Sequence, residues 1–173
     1  MIYKVILISF YLVSINLVSQ EPLKFEEIVS VDTSVTAEML FNRAQYWLVN
    51  IFENEGTLIK DENKQLICQA ITYYESPIFA GSGIASNNIV YRLEIYFRKG
   101  RYKYVFKDFI HQGGFGLLTE SEEFPRKIPL QPKKWQNRNW TYMKNHVKNL
   151  IKVLITSLKH DMSKETEIEK DNW

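Results

Sequence analysis

The residues able to do chemistry in this 173-residue chain are few and scattered. A nucleophilic serine needs a base beside it and usually a tight turn that exposes it. Ser82, in Ala80-Gly81-Ser82-Gly83, has the glycines but lacks the five-residue elbow pattern, and reads as part of a loop. His111, His146 and His160 are too far apart in sequence for local metal ligation, so no metal site and no cofactor is expected. His111 opens His111-Gln112-Gly113-Gly114-Phe115-Gly116, whose glycines would let a ligand approach the backbone, but the preceding strand and following helix of a phosphate-binding loop are missing. It is the one candidate base for a hydrolase, carried in a mobile loop. Glu94 and Asp108 could suggest a carboxylate dyad, yet strict two-residue alternation turns them to opposite faces. Cys68, between Ile67 and Gln69, has no basic neighbour to activate it and reads as a core thiol.

The strongest pattern outside the core is cationic. Arg126, Lys127, Lys133, Lys134 and Arg138 fall in a segment without an acidic residue, interleaved with Trp135 and Trp140. Cations supply attraction and tryptophans an interfacial or stacking surface, which suits an envelope partner or lipid headgroups. The alternative is a solvated loop anchored to the core by its tryptophans. Overall charge selects no partner: the +2 of the full chain becomes +1 once Lys4 is removed with the leader described next.

Residues 1–19 read as a signal peptide. Lys4 precedes the mostly apolar Val5 to Val18, which is too short for a comfortable membrane span, and Leu17-Val18-Ser19 before Gln20 suits cleavage. The protein is therefore expected outside the cytoplasm: periplasmic, envelope-associated or extracellular. No stable transmembrane span is expected after cleavage, and export argues against nucleic acid. A lone cysteine in an exported chain excludes an intramolecular disulfide.

The elements that would position these residues centre on Asn88 to Phe109. Ile89, Tyr91, Leu93, Ile95 and Phe97 alternate with Arg92, Glu94 and Arg98, and Lys99-Gly100 breaks the run. With those two as the loop, Phe97 faces Tyr102, Ile95 faces Tyr104 and Leu93 faces Phe106, a self-consistent hairpin register. Glu94 then lies diagonally between Lys103 and Lys107. Phe25 to Val31 suits a first or edge strand. Ser34 is a plausible N-cap for a helix over about Val35 to Asn54, with Leu40, Ala44, Trp47, Leu48 and Ile51 on its apolar stripe. Gln65 to Tyr74 has two partly apolar faces and suits a central strand. Ser76 to Asn88 and the breaker-rich His111 to Pro132 read as loops. A long helix then carries Trp140, Met143, Val147, Leu150, Ile151, Leu154, Ile155 and Leu158 in one stripe.

Two of these segments, Met39-Leu40-Phe41-Asn42-Arg43-Ala44-Gln45-Tyr46-Trp47 and Lys99-Gly100-Arg101-Tyr102-Lys103-Tyr104, resemble the secreted bacterial family known as domain of unknown function 4468, described as having a TBP-like fold. The resemblance spans about Val31 to Phe109. Lys99 and Lys103 depart from it in residue type, and Ile67-Cys68-Gln69-Ala70 stands where the family would place glycines. It implies an α+β domain with a curved antiparallel sheet of about five strands, two helices on one face, and the order β-α-β-β-β-β-α. It implies no activity. Arg43 and Arg101 match its motifs, for which an arginine holding the helix against the hairpin is explanation enough.

The sequence thus describes one domain over residues 20–160 followed by a charged tail, 161–173. Its expected role is a non-catalytic binding or interaction module of the cell envelope; the rivals are a hydrolase using His111 and a purely structural envelope component. A curved sheet under a long helix could enclose a small apolar ligand against Tyr102, Tyr104 and Phe106, with His111 at the gating loop.

Overall fold

A computed structural model describes residues 20–52, 57–62, 65–74 and 88–164. In chain order these form β1 (Phe25–Ser30), α1 (Ala37–Phe52), β2 (Thr57–Glu62), β3 (Gln65–Tyr73), β4 (Asn88–Arg98), β5 (Arg101–His111), β6 (Gly116–Leu117) and α2 (Lys133–Met162). Residues 1–19, read above as a signal peptide, the segment 75–87 with Ser82, and residues 165–173 lie outside the described residues. The sheet runs β1-β5-β4-β3-β2 with every neighbour antiparallel, and β6 pairs with the far end of β5. This is the expected α+β architecture and element order, with β6 added inside the segment read as loop.

The hairpin has the expected register: Phe97 pairs with Tyr102, Ile95 with Tyr104 and Leu93 with Phe106. Gly100 makes its turn possible, because φ is +71° and a Cβ there would come within 3.3 Å of the Thr33 backbone. The Gly100 N–H donates to the Val35 carbonyl (3.0 Å) and its own carbonyl accepts from Val31 (2.9 Å), so the turn is stitched to the chain entering α1.

Alternation then breaks once. Val90 pairs with Ile110 but Arg92 with Lys107, so Asp108 and Phe109 together face Tyr91, and Asp108 takes a left-handed φ of 57°. This is a β-bulge, and it rephases everything after it. Phe109 and His111 turn into the core, Ile110 turns out, and Asp108 joins Glu94 on the outer face, where Arg92 lies 3.7 Å from Asp108 and 3.8 Å from Glu94. The opposite-face reading of the two carboxylates fails because strict alternation cannot see the inserted residue.

One apolar core joins α1, α2 and the inward residues of the sheet, including Leu66, Cys68 and Ala70 of β3. Cys68 is buried, and desolvation pushes its thiol up to about 11, a poor nucleophile. Thr36, not Ser34, caps α1: its hydroxyl accepts the Met39 N–H (3.1 Å), while Ser34 is held by the Asp32 side chain (2.7 Å). The Trp47 indole N–H donates to the Ser157 hydroxyl (3.0 Å), locking α1 to α2. Arg43 is buried and donates to the Met162 carbonyl (2.9 Å), which ties α1 to the C-terminal end of α2. The α2 stripe extends beyond residue 160 to the fully buried Met162, and each large side chain in it contributes roughly 1.5–3 kcal/mol before entropy. No described helix is long and apolar enough to cross a membrane.

Candidate functional site

The four residues read as ligand-binding are all in the core. Tyr102, Tyr104 and Phe106 point inward from β5 and are buried. Tyr104 donates to a Glu27 carboxylate oxygen (2.5 Å), and Lys159 of α2 donates to both Glu27 oxygens (2.8 and 2.7 Å). Those hydrogen bonds, Lys159 first, hold Glu27 below the usual carboxylate range. The Tyr102 hydroxyl is buried without a partner among the described residues, and burial raises its pKa.

His111 is the last residue of β5, not part of a loop, because the bulge carries β5 to that point and turns the ring inward. Its Nδ1 accepts the Gly113 N–H (3.0 Å), its ring stands edge-on to Phe115 at 5.5 Å, and its Nε2 is buried without a partner among the described residues. Burial lowers its pKa below the ordinary 6.5. The unfolded chain therefore binds a proton that the folded chain refuses, and stability falls as pH drops below about 6.5, by up to about 1.4 kcal/mol per pH unit for this group. His146, depressed by burial beside Thr72 and Tyr74, acts in the same direction. Urea titrations at pH 7.5 and 5.5 are expected to show a smaller acid loss for His111→Asn than for the parent chain; equal losses would show that His111 does not contribute.

The opposite face of the sheet carries a different chemistry. A cleft of about 1100 Å³ there is lined by six cations, Lys24, Arg98, Lys99, Arg101, Lys103 and Lys107, against two acids, Glu26 and Glu94. Glu26 is bracketed by Lys24 (3.0 Å) and Lys103 (2.8 Å), and Glu94 takes Lys107 (2.8 Å) and the Tyr96 hydroxyl (2.8 Å). Burial pushes Glu94 up, but the bonds from Lys107 and Tyr96 outweigh it and leave the carboxyl below its usual range. Lys103 thus serves Glu26 and not Glu94, the partner that the diagonal suggested. Arg98, Lys99 and Arg101 make no ion pair among the described residues, and Arg98 and Arg101 face each other as the closing pair of the hairpin. Like charges directly opposed destabilise a hairpin. Exposed Ile28 and Tyr96 lie beside them.

The basic segment divides by role. Trp135 is half-buried against Phe115 (6.4 Å), and Trp140 is wholly buried. Lys133 pairs with Glu123 (2.6 Å), and the Arg138 guanidinium lies 5.8 Å from the Tyr142 ring centre. Arg126 lies against Gly116, where a Cβ would meet its guanidinium at 3.3 Å. Lys127 and Lys134 have no ion pair among the described residues. A second cleft, about 880 Å³, runs past Arg126, Lys127 and Lys133 but also past Glu122 and Glu123, so its charge is more balanced than the segment alone suggests. Sequence reading passed over Gln136, Leu130 and Lys144. Lys144 is buried and donates to the carbonyls of Ser121 (2.6 Å) and Glu120 (3.3 Å). A polar residue on an otherwise apolar stripe was the available signal.

Comparison with known proteins follows the geometry. The chain resembles the crystal structure of a TBP-like protein from Parabacteroides distasonis at 10% identity, with a TM-score of 0.54 over 80% of this chain and 93% of that one. It is also similar to a DUF4468 family protein from Bacteroides ovatus at 8% identity, with a TM-score of 0.49 over 79% of this chain and 86% of that one. At such identities the first likeness speaks for the fold alone. No curated protein matches. The family model described as domain of unknown function (DUF4468) with TBP-like fold matches residues 25–112, from the start of β1 to just past the end of β5. The chain belongs to that family, whose name records a fold and no activity.

Proposed function

We propose that the protein is an exported, non-catalytic binding module of the cell envelope, which engages an acidic partner through the uncovered face of its sheet. The observation that carries this reading is the cleft in which six cations surround two acids while Arg98, Lys99 and Arg101, at the hairpin tip, have no ion pair among the described residues. A closing pair of like charges is a local cost that an anionic partner removes, and arginine forks suit carboxylates. His111, the hydrolase candidate, borders neither cleft. The leader-like residues 1–19 support the extracytoplasmic address.

The test is photo-crosslinking in intact cells from a benzophenone side chain placed at Tyr96. Capture of an acidic envelope component is expected, as is its loss with Arg98→Glu and Arg101→Glu together. A chain that keeps residues 1–19 in the cytosol, or capture indifferent to charge reversal, would overturn the reading.

A second reading, a small apolar ligand held against Tyr102, Tyr104, Phe106 and His111, draws on the apolar layer they share, where the Tyr102 hydroxyl and His111 Nε2 have no partner among the described residues and would meet a polar group at one end of that ligand. Added mass on the monomer in native mass spectrometry supports it, and a bare monomer counts against it.

A further inference from the structure

Leu130 is fully exposed, at 105% of its reference accessibility, and its backbone is left-handed, with φ 66°. Each fact is unfavourable for a leucine: water gains an entire apolar side chain, and L-residues other than glycine, asparagine and aspartate avoid that backbone region. The fold nevertheless holds the loop firmly. Gln136, buried in the first turn of α2, accepts the Ile128 N–H with Oε1 (3.2 Å) and donates through Nε2 to the carbonyls of Ile128 (3.0 Å) and Gln131 (2.8 Å). Pro129 and Pro132 fix two more φ angles beside the leucine. A buried glutamine and two prolines thus present one leucine to solvent, and Arg126, Lys127, Lys133 and Lys134 surround it in sequence, with Lys127 and Lys134 free of ion pairs among the described residues.

We propose that residues 128–131 form an insertion tip for an anionic phospholipid surface: Leu130 enters the headgroup boundary while Lys127 and Lys134 meet the phosphates. An exposed apolar side chain flanked in sequence by cations is what such an interface selects, since burial and charge attraction act together and neither is sufficient alone. A protein groove would also take a leucine, but the surrounding cations then face no defined counter-charge. The site lies outside residues 25–112 matched by the family model, and it is separate from the hairpin tip: Arg126 touches Gly116 and Trp135 touches Phe115, beyond the end of β5 remote from the Lys99-Gly100 turn. It goes beyond the reading of the sheet face, and the two can fail independently.

The experiment is co-sedimentation of the chain beginning at Gln20 with vesicles of phosphatidylcholine alone and of phosphatidylcholine with phosphatidylglycerol. Binding to the anionic vesicles is expected. Leu130→Asn should weaken it about tenfold, and Lys127→Glu with Lys134→Glu by more than about tenfold. Asparagine suits the left-handed backbone better than leucine, so Leu130→Asn should keep or raise the melting temperature while binding falls. Arg98→Glu with Arg101→Glu should leave the Leu130 dependence intact. No binding by the parent chain, binding that ignores Leu130→Asn, or equal binding to neutral vesicles would each overturn the proposal. A fall in binding that merely follows a fall in melting temperature would do so too, because the leucine would then be serving the fold.

Discussion

Phe109→Ala is expected to cost about 4 kcal/mol of stability, whereas Asp108→Gly raises it by up to about 1 kcal/mol. The bulge at Asp108 is what turns Phe109 inward, because strict alternation from Phe106 would place Asp108 inside and Phe109 outside. Phe109 is fully buried, with its ring 5.6 Å from Tyr91 and 5.8 Å from Phe25. The loss is that of truncating a buried aromatic, roughly 3–5 kcal/mol, against a total of about 5–15 kcal/mol for a typical domain. Glycine at 108 keeps the bulge and relieves the left-handed φ of 57°, worth about 1 kcal/mol. The Arg92 contact it removes, 3.7 Å between half-exposed groups, offsets little of that. Urea midpoints followed by tryptophan fluorescence separate the two variants; similar midpoints would show that the Phe109 ring contributes nothing to the core.

The second large effect lies where α2 grips the segment after β6. Trp140→Ala is expected to cost about 4 kcal/mol and Trp140→Phe about 1–1.5 kcal/mol. The indole is wholly buried, its ring lies 5.3 Å from Phe124, and its N–H donates to the Ser121 carbonyl at 2.9 Å. That same carbonyl accepts from Lys144 at 2.6 Å. Phenylalanine retains most of the packing and leaves Lys144 to satisfy the carbonyl, so its cost isolates one hydrogen bond. Alanine opens a cavity under Phe124 as well. Thermal unfolding with both variants checks the ratio, and equal costs would mean that the ring itself contributes nothing.

The hairpin was legible because its evidence is periodic. Alternation from Ile89 to Phe97 and the break at Lys99-Gly100 specify one register, and the structure has it. The bulge was not legible, because Asp108 is an ordinary charged residue on a charged face and nothing nearby marks an insertion. That single inserted residue explains why His111 was read as the start of a loop and why Asp108 was assigned the wrong face. The cap of α1 moved from Ser34 to Thr36 because two hydroxyl residues stand two apart and only geometry decides which one reaches an N–H three residues on. Among the candidate site residues, spacing found the cations but could not show which were already paired, as Lys133 is with Glu123. Leu130 was invisible for the opposite reason. A leucine between two prolines looks like loop filler until its backbone angle, its exposure and the buried Gln136 beneath it are seen together.

The pairing of β1 with β5 also governs how the molecule is made. Glu27 and Tyr104 meet across 77 residues of chain, so β1 leaves the ribosome long before β5, its neighbour in the sheet, exists. Closing a loop of that length is slow compared with forming a local hairpin, and the nucleus of folding therefore belongs to β4 and β5, with β1 added late. Until then β1 is a bare strand, and its Glu26-Glu27 pair, next to Lys24, discourages self-association of the nascent chain during that wait.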